Sequence, residues 1–212
     1  MTEDSCPCCG DVAKPSVGNG SSVEPWQSDD SVLNTILPNE LRSSLSRFLG
    51  VESVDTLGGW AVAVRNRIDG DSISIDDLCV TDDETDHWGI VDGETHYFAC
   101  FYDAVILAAI VDRPVDIRTT SPDGTVIEAR AVGTDELTVN PTDAVFSFGI
   151  DTDVPPPSED GPSLERGYAA ICPYVNAFQN RRSYARWARS VDAATVGMPL
   201  AGATELAAAL VT

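Results

Sequence analysis

The stretch HYFACFYDAVILAAIV, residues 96–111, sets a cysteine and an aspartate three positions apart inside an otherwise apolar run. Residues 104–111 contain no helix breaker and lie shortly before Pro114, so they predict a buried helix that begins near Cys100. An i, i+3 spacing places the thiol of Cys100 and the carboxyl of Asp103 on one helix face. The positive end of the helix dipole favours a thiolate, whereas apolar neighbours favour a protonated carboxyl. A nucleophile and a proton carrier would then be neighbours.

The same pattern also has a purely structural interpretation. Free cysteine is among the most buried residue types, so Cys100 could be a core thiol and Asp103 an exposed or capping carboxylate. A second stretch, YAAICPYVNAFQNRRSYARW at residues 168–187, bears on this choice. It contains another cysteine, which is followed six positions later by a phenylalanine and then by a tryptophan.

Together, the two stretches resemble the organomercurial (alkylmercury) lyases. The first is similar to the A-x-C-x-x-D block of that family, the second is similar to its later cysteine block, and the blocks come in the family's order. The likeness runs from about residue 86 to the C-terminus. It departs from the family in Pro173, in three additional N-terminal cysteines and in a winged-helix-like region that is hard to recognise. The matching positions are Cys100, Asp103, Cys172, Phe178 and Trp187.

This resemblance implies an enzyme that cleaves a carbon–mercury bond by protonolysis and releases a hydrocarbon and Hg(II). Cys100 and Cys172 would be the mercury-binding thiolates and Asp103 the catalytic proton carrier, and all three would hold the product Hg(II). Mercury is a soft metal that prefers sulfur, and a carboxyl with a raised pKa can both take and give a proton near neutral pH. Aromatic side chains such as Phe98, Phe101 and Phe178 could shelter the organic group.

No organic cofactor or permanent metal is implied by the resemblance. The expected substrate is a small organomercury compound, and low-molecular-weight thiols or a mercuric reductase would accept the Hg(II). The two histidines, His87 and His96, lack arranged partners and are expected to be ordinary residues.

The charge of the chain is its strongest compositional signal. It has 34 acidic and 13 basic residues, a net charge of -21, and Lys14 as its only lysine. Nucleic acids and anionic membrane surfaces would repel such a protein, so neither is an expected partner. An acidic surface that is almost free of lysine suits a cytoplasm with molar salt, where screening limits repulsion to roughly 3 Å. We therefore expect a halophilic source.

The cysteines at 6, 8, 9, 79, 100 and 172 lack the spacing of a disulfide framework. The sequence also lacks a long apolar span or a typical signal peptide, so we expect a cytoplasmic protein with free thiols. Cys6, Cys8 and Cys9 form a cluster that could relay a soft metal or could be adventitious. Cys79 is expected to be a core cysteine.

The expected fold is α+β, with an antiparallel or mixed β-sheet core flanked by helices, as the resemblance implies. Residues 1–30 read as a flexible Cys-containing tail. Residues 31–85 predict a small, mainly helical and possibly degenerate winged-helix-like unit, with helices broken at Pro38, another over residues 58–67 and a strand over residues 72–78. Residues 86–212 would be the catalytic core.

Short β-rich segments predict the strands of this core. Residues 88–90 and 95–98 flank the turn VDGE and predict a hairpin. Residues 115–119, 126–132 and 144–148 predict further strands of one antiparallel sheet. Helices are predicted over residues 179–190 and 200–210, with a strand over residues 193–197 between them.

Two other functions remain compatible with the residues. One is a soft-metal (mercury or copper) binding protein or chaperone on the same fold, which would use Cys100 and Cys172 without cleaving a bond. The other is a structural or regulatory module whose cysteines are buried thiols. Asp103 separates the first from a lyase, because a metal carrier has little use for a proton donor beside its thiolate.

Overall fold

The computed structural model of the protein describes residues 31–66, 73–157 and 163–211, and this part is built from six α-helices and nine β-strands. In chain order they are α1 (Asn39–Leu49), α2 (Leu57–Arg65), β1 (Val80–Thr81), β2 (His87–Val91), β3 (Glu94–Phe98), α3 (Tyr102–Val111), β4 (Pro114–Thr120), β5 (Val126–Val132), β6 (Glu136–Asn140), β7 (Val145–Asp151), α4 (Leu164–Ile171), β8 (Ala177–Phe178), α5 (Arg181–Ala188), β9 (Ala193–Pro199) and α6 (Ala203–Val211).

The strands form two antiparallel sheets. The larger has the order β1-β3-β2-β4-β5-β6 and the smaller the order β8-β7-β9. Helices flank both sheets, so the predicted α+β class with an antiparallel core is confirmed. The prediction of one sheet was wrong, because β7 is the central strand of the smaller sheet. Nearly all of its residues are buried, as expected for a strand that is covered on both faces, whereas β4 alternates between buried and exposed residues.

The hairpin of β2 and β3 formed as predicted from its local turn chemistry. Asp92 and Gly93 both have positive φ, at 53° and 84°, which matches the right-handed twist of the strands they join. Trp88 pairs with Tyr97 and Val91 with Glu94. The hairpin leads directly into the turn that precedes α3.

Helix α3 lies between the larger sheet and α6, and seven of its ten residues are buried. A helix that is apolar all round has to be covered on several sides. Gly89 in β2 permits the close approach of this helix, because a Cβ atom there would lie 2.9 Å from Val115 and 3.4 Å from Ala104. The predicted helix is confirmed, although it begins at Tyr102, so Cys100 lies in the turn before it.

The two N-terminal helices belong to the main hydrophobic core of the described chain. Leu41 and Leu45 of α1 and Leu57 of α2 are fully buried in the cluster that also holds α3 and α6. α1 packs on β7 and β9, and α2 packs on α6. The helix predicted after Pro38 is confirmed as α1, whereas the chain before Pro38 forms only a short 3-10 turn at Val32–Asn34.

The strand predicted over residues 72–78 was wrong. Residues Ile75–Asp77 form a 3-10 turn, in which the N–H of Ser74 donates to Oδ2 of Asp77 at 2.9 Å. The alternation of serine and isoleucine does not mark a buried face, because Ile75 is 42% exposed. Local capping therefore takes the place of strand pairing at residues 73–78.

The proposed tail of residues 1–30, with Cys6, Cys8 and Cys9, lies outside the described residues. Among those that the structure does describe, no helix is long and apolar enough to cross a membrane.

Candidate functional site

Cys100, Asp103 and Cys172, the three residues singled out by sequence, line one cavity of about 690 Å³. Cys100 comes from the turn before α3, Asp103 from the first turn of α3, and Cys172 from the end of α4. The thiol of Cys100 donates to the carbonyl of Val175 at 3.8 Å, which ties the α3 turn to the loop after Cys172. Residues that are distant in sequence therefore meet at one site.

Asp103 is the buried carboxyl of this site, since only 6% of its surface is exposed. Its Oδ2 accepts one hydrogen bond, from the backbone N–H of Cys79 at 2.9 Å. Burial raises the pKa of the carboxyl to about 7, and the hydrogen bond from Cys79 opposes part of that rise. Near neutral pH the group can therefore exist in both forms, as a proton donor and as a proton acceptor.

Cys172 is half-buried and begins the 3-10 turn Cys172–Tyr174, where Pro173 prevents α4 from continuing. The pKa of its thiol is raised well above the ordinary value, first by interaction with the Cys100 thiol, next by interaction with Cys79, and then by burial. The site without a ligand thus holds Cys172 as a neutral thiol beside two other sulfur atoms.

Two further residues support this arrangement and were not assigned to it from the sequence. Cys79 is 1% exposed, as expected of a core cysteine, but its backbone N–H also holds the carboxyl of Asp103. Tyr168 in α4 lines the cavity, and its hydroxyl donates to the carbonyl of Asp77. That bond joins α4, which directly precedes Cys172, to the segment that carries Cys79. The role of Cys79 could not be predicted from the sequence, because any residue can donate a backbone N–H. The tyrosine at position 168, four residues before Cys172, is only a weak sequence signal for a role in the site.

The aromatic residues expected to shelter a substrate are placed elsewhere. Phe98, Phe101 and Phe178 are buried but do not line the cavity. Phe178 packs instead with Tyr184 and Trp187 in a separate cluster, with ring centroids 5.8 Å and 5.1 Å away. The aromatic residues that do line the cavity are Phe48, Trp60, Tyr102, Phe146, Phe148 and Tyr168.

The histidines do not belong to the cavity. Nδ1 of His87 lies 2.7 Å from the hydroxyl of Thr119, and burial lowers the pKa of this imidazole. In the described part of the chain, no three His, Cys, Asp or Glu side chains are arranged so that they could hold a metal ion.

Comparison with known protein families assigns the chain to one of them. The family model of the alkylmercury lyases, MerB, matches residues 80–212, which is well over half of the sequence. The protein therefore belongs to the alkylmercury lyase family, and the resemblance recognised from the two cysteine blocks is confirmed. Cys100, Asp103 and Cys172 lie inside the matched region, whereas α1, α2 and Cys79 precede it.

One of the similar solved structures is the mercury-bound form of MerB2. It is 13% identical, with a TM-score of 0.46 and coverage of 82% of this chain and 91% of that chain. No curated protein matches the sequence.

Proposed function

We propose that this protein is an organomercurial lyase that cleaves the carbon–mercury bond by protonolysis, with Cys100, Asp103 and Cys172 as its catalytic residues. The main support is the meeting of two thiols and a buried carboxyl in one cavity. A carboxyl whose pKa is about 7 supplies the proton carrier that such a reaction requires. Family membership supports the same reaction class.

The first step of the proposed reaction is capture. The Cys100 thiol loses its proton to solvent as its sulfur attacks mercury in R-Hg-X; the sulfur–mercury bond forms and X⁻ leaves. Soft thiolate sulfur is a preferred ligand of a soft metal, so the exchange is favourable. The apolar cavity beside Cys100 receives the organic group R.

The second step is the proton cycle of Asp103. Because the pKa of Cys172 is raised, this thiol needs a base before it can bind mercury. The carboxylate of Asp103 accepts the proton, and the Cys172 sulfur then binds the metal. Protonated Asp103 delivers the proton to the carbon that is bound to mercury, so the carbon–mercury bond breaks, R-H leaves and Hg(II) stays on two sulfurs. Two small thiols from solution then displace the Cys100 and Cys172 sulfurs from Hg(II). Each small thiol gives its proton to the cysteine that it displaces, and the Hg(II) leaves bound to the small thiols.

The test is release of benzene from phenylmercury by the purified protein in molar KCl with excess small thiol. Cys100→Ser, Cys172→Ser and Asp103→Ala should each lower turnover by orders of magnitude while the fold is kept, since general acid–base catalysis alone contributes roughly 100-fold or more. Asp103→Asn is the variant whose side chain is closest in shape to the wild-type aspartate. Asp116→Asn, on the exposed side of β4, is the control for the loss of one carboxylate.

A different result would identify the alternative function. If the wild type and Asp103→Ala bound mercury equally and stoichiometrically but released no benzene, the protein would be a soft-metal carrier. Near wild-type turnover in a folded variant of the three catalytic positions would also contradict the mechanism.

A further inference from the structure

The cavity extends far beyond the two thiols. Its volume is about 690 Å³, whereas a methyl group needs roughly the space of one water molecule, about 30 Å³. Most of the lining side chains are apolar, and many of these are buried: Phe48, Trp60, Ile106, Phe146, Phe148 and Leu206. Such a space is much larger than the smallest alkyl group requires.

Part of this wall comes from the helices that precede the family match. α1 contributes Phe48 and Leu49, and α2 contributes Trp60 and Val64. The Trp60 ring packs edge-on against Phe148 of β7, with centroids 4.7 Å apart, so α2 is anchored to the smaller sheet. The N-terminal helices of this particular chain therefore form part of the wall of the cavity.

The polar side chains of the lining outside the proposed catalytic set differ in burial. Ser74 and Ser163 are exposed, and Asp77 and Tyr168 are half-buried. Tyr102 and Trp60 are buried; the Tyr102 hydroxyl donates to the carbonyl of Ala203, whereas Nε1 of Trp60 has no hydrogen-bond partner among the described residues. The described lining residues include no lysine or arginine. A negatively charged organic group would have to give up its hydration there without a cation to receive it.

We propose that this site takes organomercurials with a large, uncharged hydrocarbon group, such as an alkyl-substituted phenyl or a long alkyl chain, and that α2 sets the accepted length through Val64 and Trp60. The proposal rests on the lyase function for the reaction, and on the cavity alone for the choice of organic group. Apolar burial favours each added methylene, and the gain continues until the wall of the cavity is reached.

The first experiment compares phenylmercury with its para-methyl, para-ethyl and para-butyl derivatives. For the wild type, kcat/KM should rise about fourfold per added methylene, mainly through a lower KM, because apolar burial of one methylene has roughly that effect on binding. Para-carboxyphenylmercury should be processed on the order of tenfold less well than phenylmercury. A flat alkyl series, or equal use of the carboxylate, would overturn the inference.

A matched pair of variants on α2 tests the assignment to this helix. Val64→Trp places an indole inside the cavity and should flatten the alkyl series. Val62→Trp is the control, because Val62 is 52% exposed, lies on the same helix and does not line the cavity. If kcat/KM still rose steeply along the alkyl series in Val64→Trp, α2 would not determine the specificity of the site.

Mercury-free ligands separate this inference from the proposed reaction. Benzene, ethylbenzene and butylbenzene should raise the melting temperature of the wild type in that order, since a ligand that binds only the folded state stabilises it by mass action. This result would support the cavity assignment even if no benzene were released from phenylmercury. Equal shifts for all three ligands would overturn it, whatever the outcome of the lyase assay.

Discussion

Replacement of Asp103 by asparagine should change how the stability of this protein depends on pH. Asparagine has nearly the same size and keeps an oxygen that can accept the 2.9 Å hydrogen bond from Cys79, but it cannot ionise. In the wild type, burial raises the pKa of the Asp103 carboxyl from 3.8 to about 7. The substitution therefore removes one titration and leaves the packing almost unchanged.

The sign of the effect follows from this raised pKa. Between pH 4 and pH 7 the unfolded chain loses the proton of Asp103 while the folded chain keeps it, so the stability contributed by the protonated carboxyl is lost as pH rises. A shift of about three pKa units corresponds to about 4 kcal/mol over the whole range. About 2–3 kcal/mol of that change falls between pH 5 and pH 8.

The measurement is urea unfolding in molar KCl, followed by tryptophan fluorescence at steps from pH 5 to pH 8. The free energy of unfolding of the wild type, minus that of Asp103→Asn, should fall by about 2–3 kcal/mol across this range. Asp116→Asn, which removes an exposed carboxylate, is the control. A difference between wild type and Asp103→Asn that stays constant from pH 5 to pH 8 would refute the conclusion that burial controls this carboxyl.

Two further predictions concern packing in the smaller sheet and around α4. Gly197→Ala should lower the free energy of unfolding by about 1–3 kcal/mol, because its Cβ would lie 2.5 Å from the ring of Tyr184. Gly167→Ala in α4, whose Cβ would have no neighbour closer than 3.9 Å, should instead be neutral or stabilising by up to about 1 kcal/mol, and urea unfolding compares the two. Tyr168→Phe removes the hydrogen bond to the carbonyl of Asp77 and should cost about 1 kcal/mol of stability. It should also speed alkylation of the half-buried thiol at the end of α4, and an unchanged alkylation rate would show that this hydroxyl does not hold α4 in place.

The elements that were predicted correctly depend on local information. The hairpin of β2 and β3 forms around an Asp-Gly pair because those residues adopt positive φ at little cost. Helix α3 forms from an unbroken apolar run, and its burial on several sides is what such a run requires. The candidate residues Cys100, Asp103 and Cys172 were found from the spacing of two blocks, and their roles in catalysis stay a proposal.

The wrong predictions involve properties that neighbouring residues do not determine. The alternation near Ile75 suggested a strand, yet capping by Ser74 and Asp77 stabilises a 3-10 turn there. The division into two sheets depends on which strands pair with β7. Phe178 lies in β8 of the smaller sheet and packs in a separate cluster with Tyr184 of α5, so it does not line the cavity. These outcomes are decided by long-range packing, which a local pattern does not report.

By itself, the sequence determined the α+β class, the family and the three chemical groups of the candidate site, because periodicity, turn residues and motif spacing are properties of short segments. The strongly acidic composition is also a property of the sequence alone, and the halophilic source that it indicates stays a prediction. Only the tertiary structure decided that Cys79 donates its backbone N–H to Asp103, and that α1 and α2 form a wall of the cavity. The reason is physical: the pKa of a buried carboxyl and the volume of a cavity depend on which distant segments exclude water from the same place.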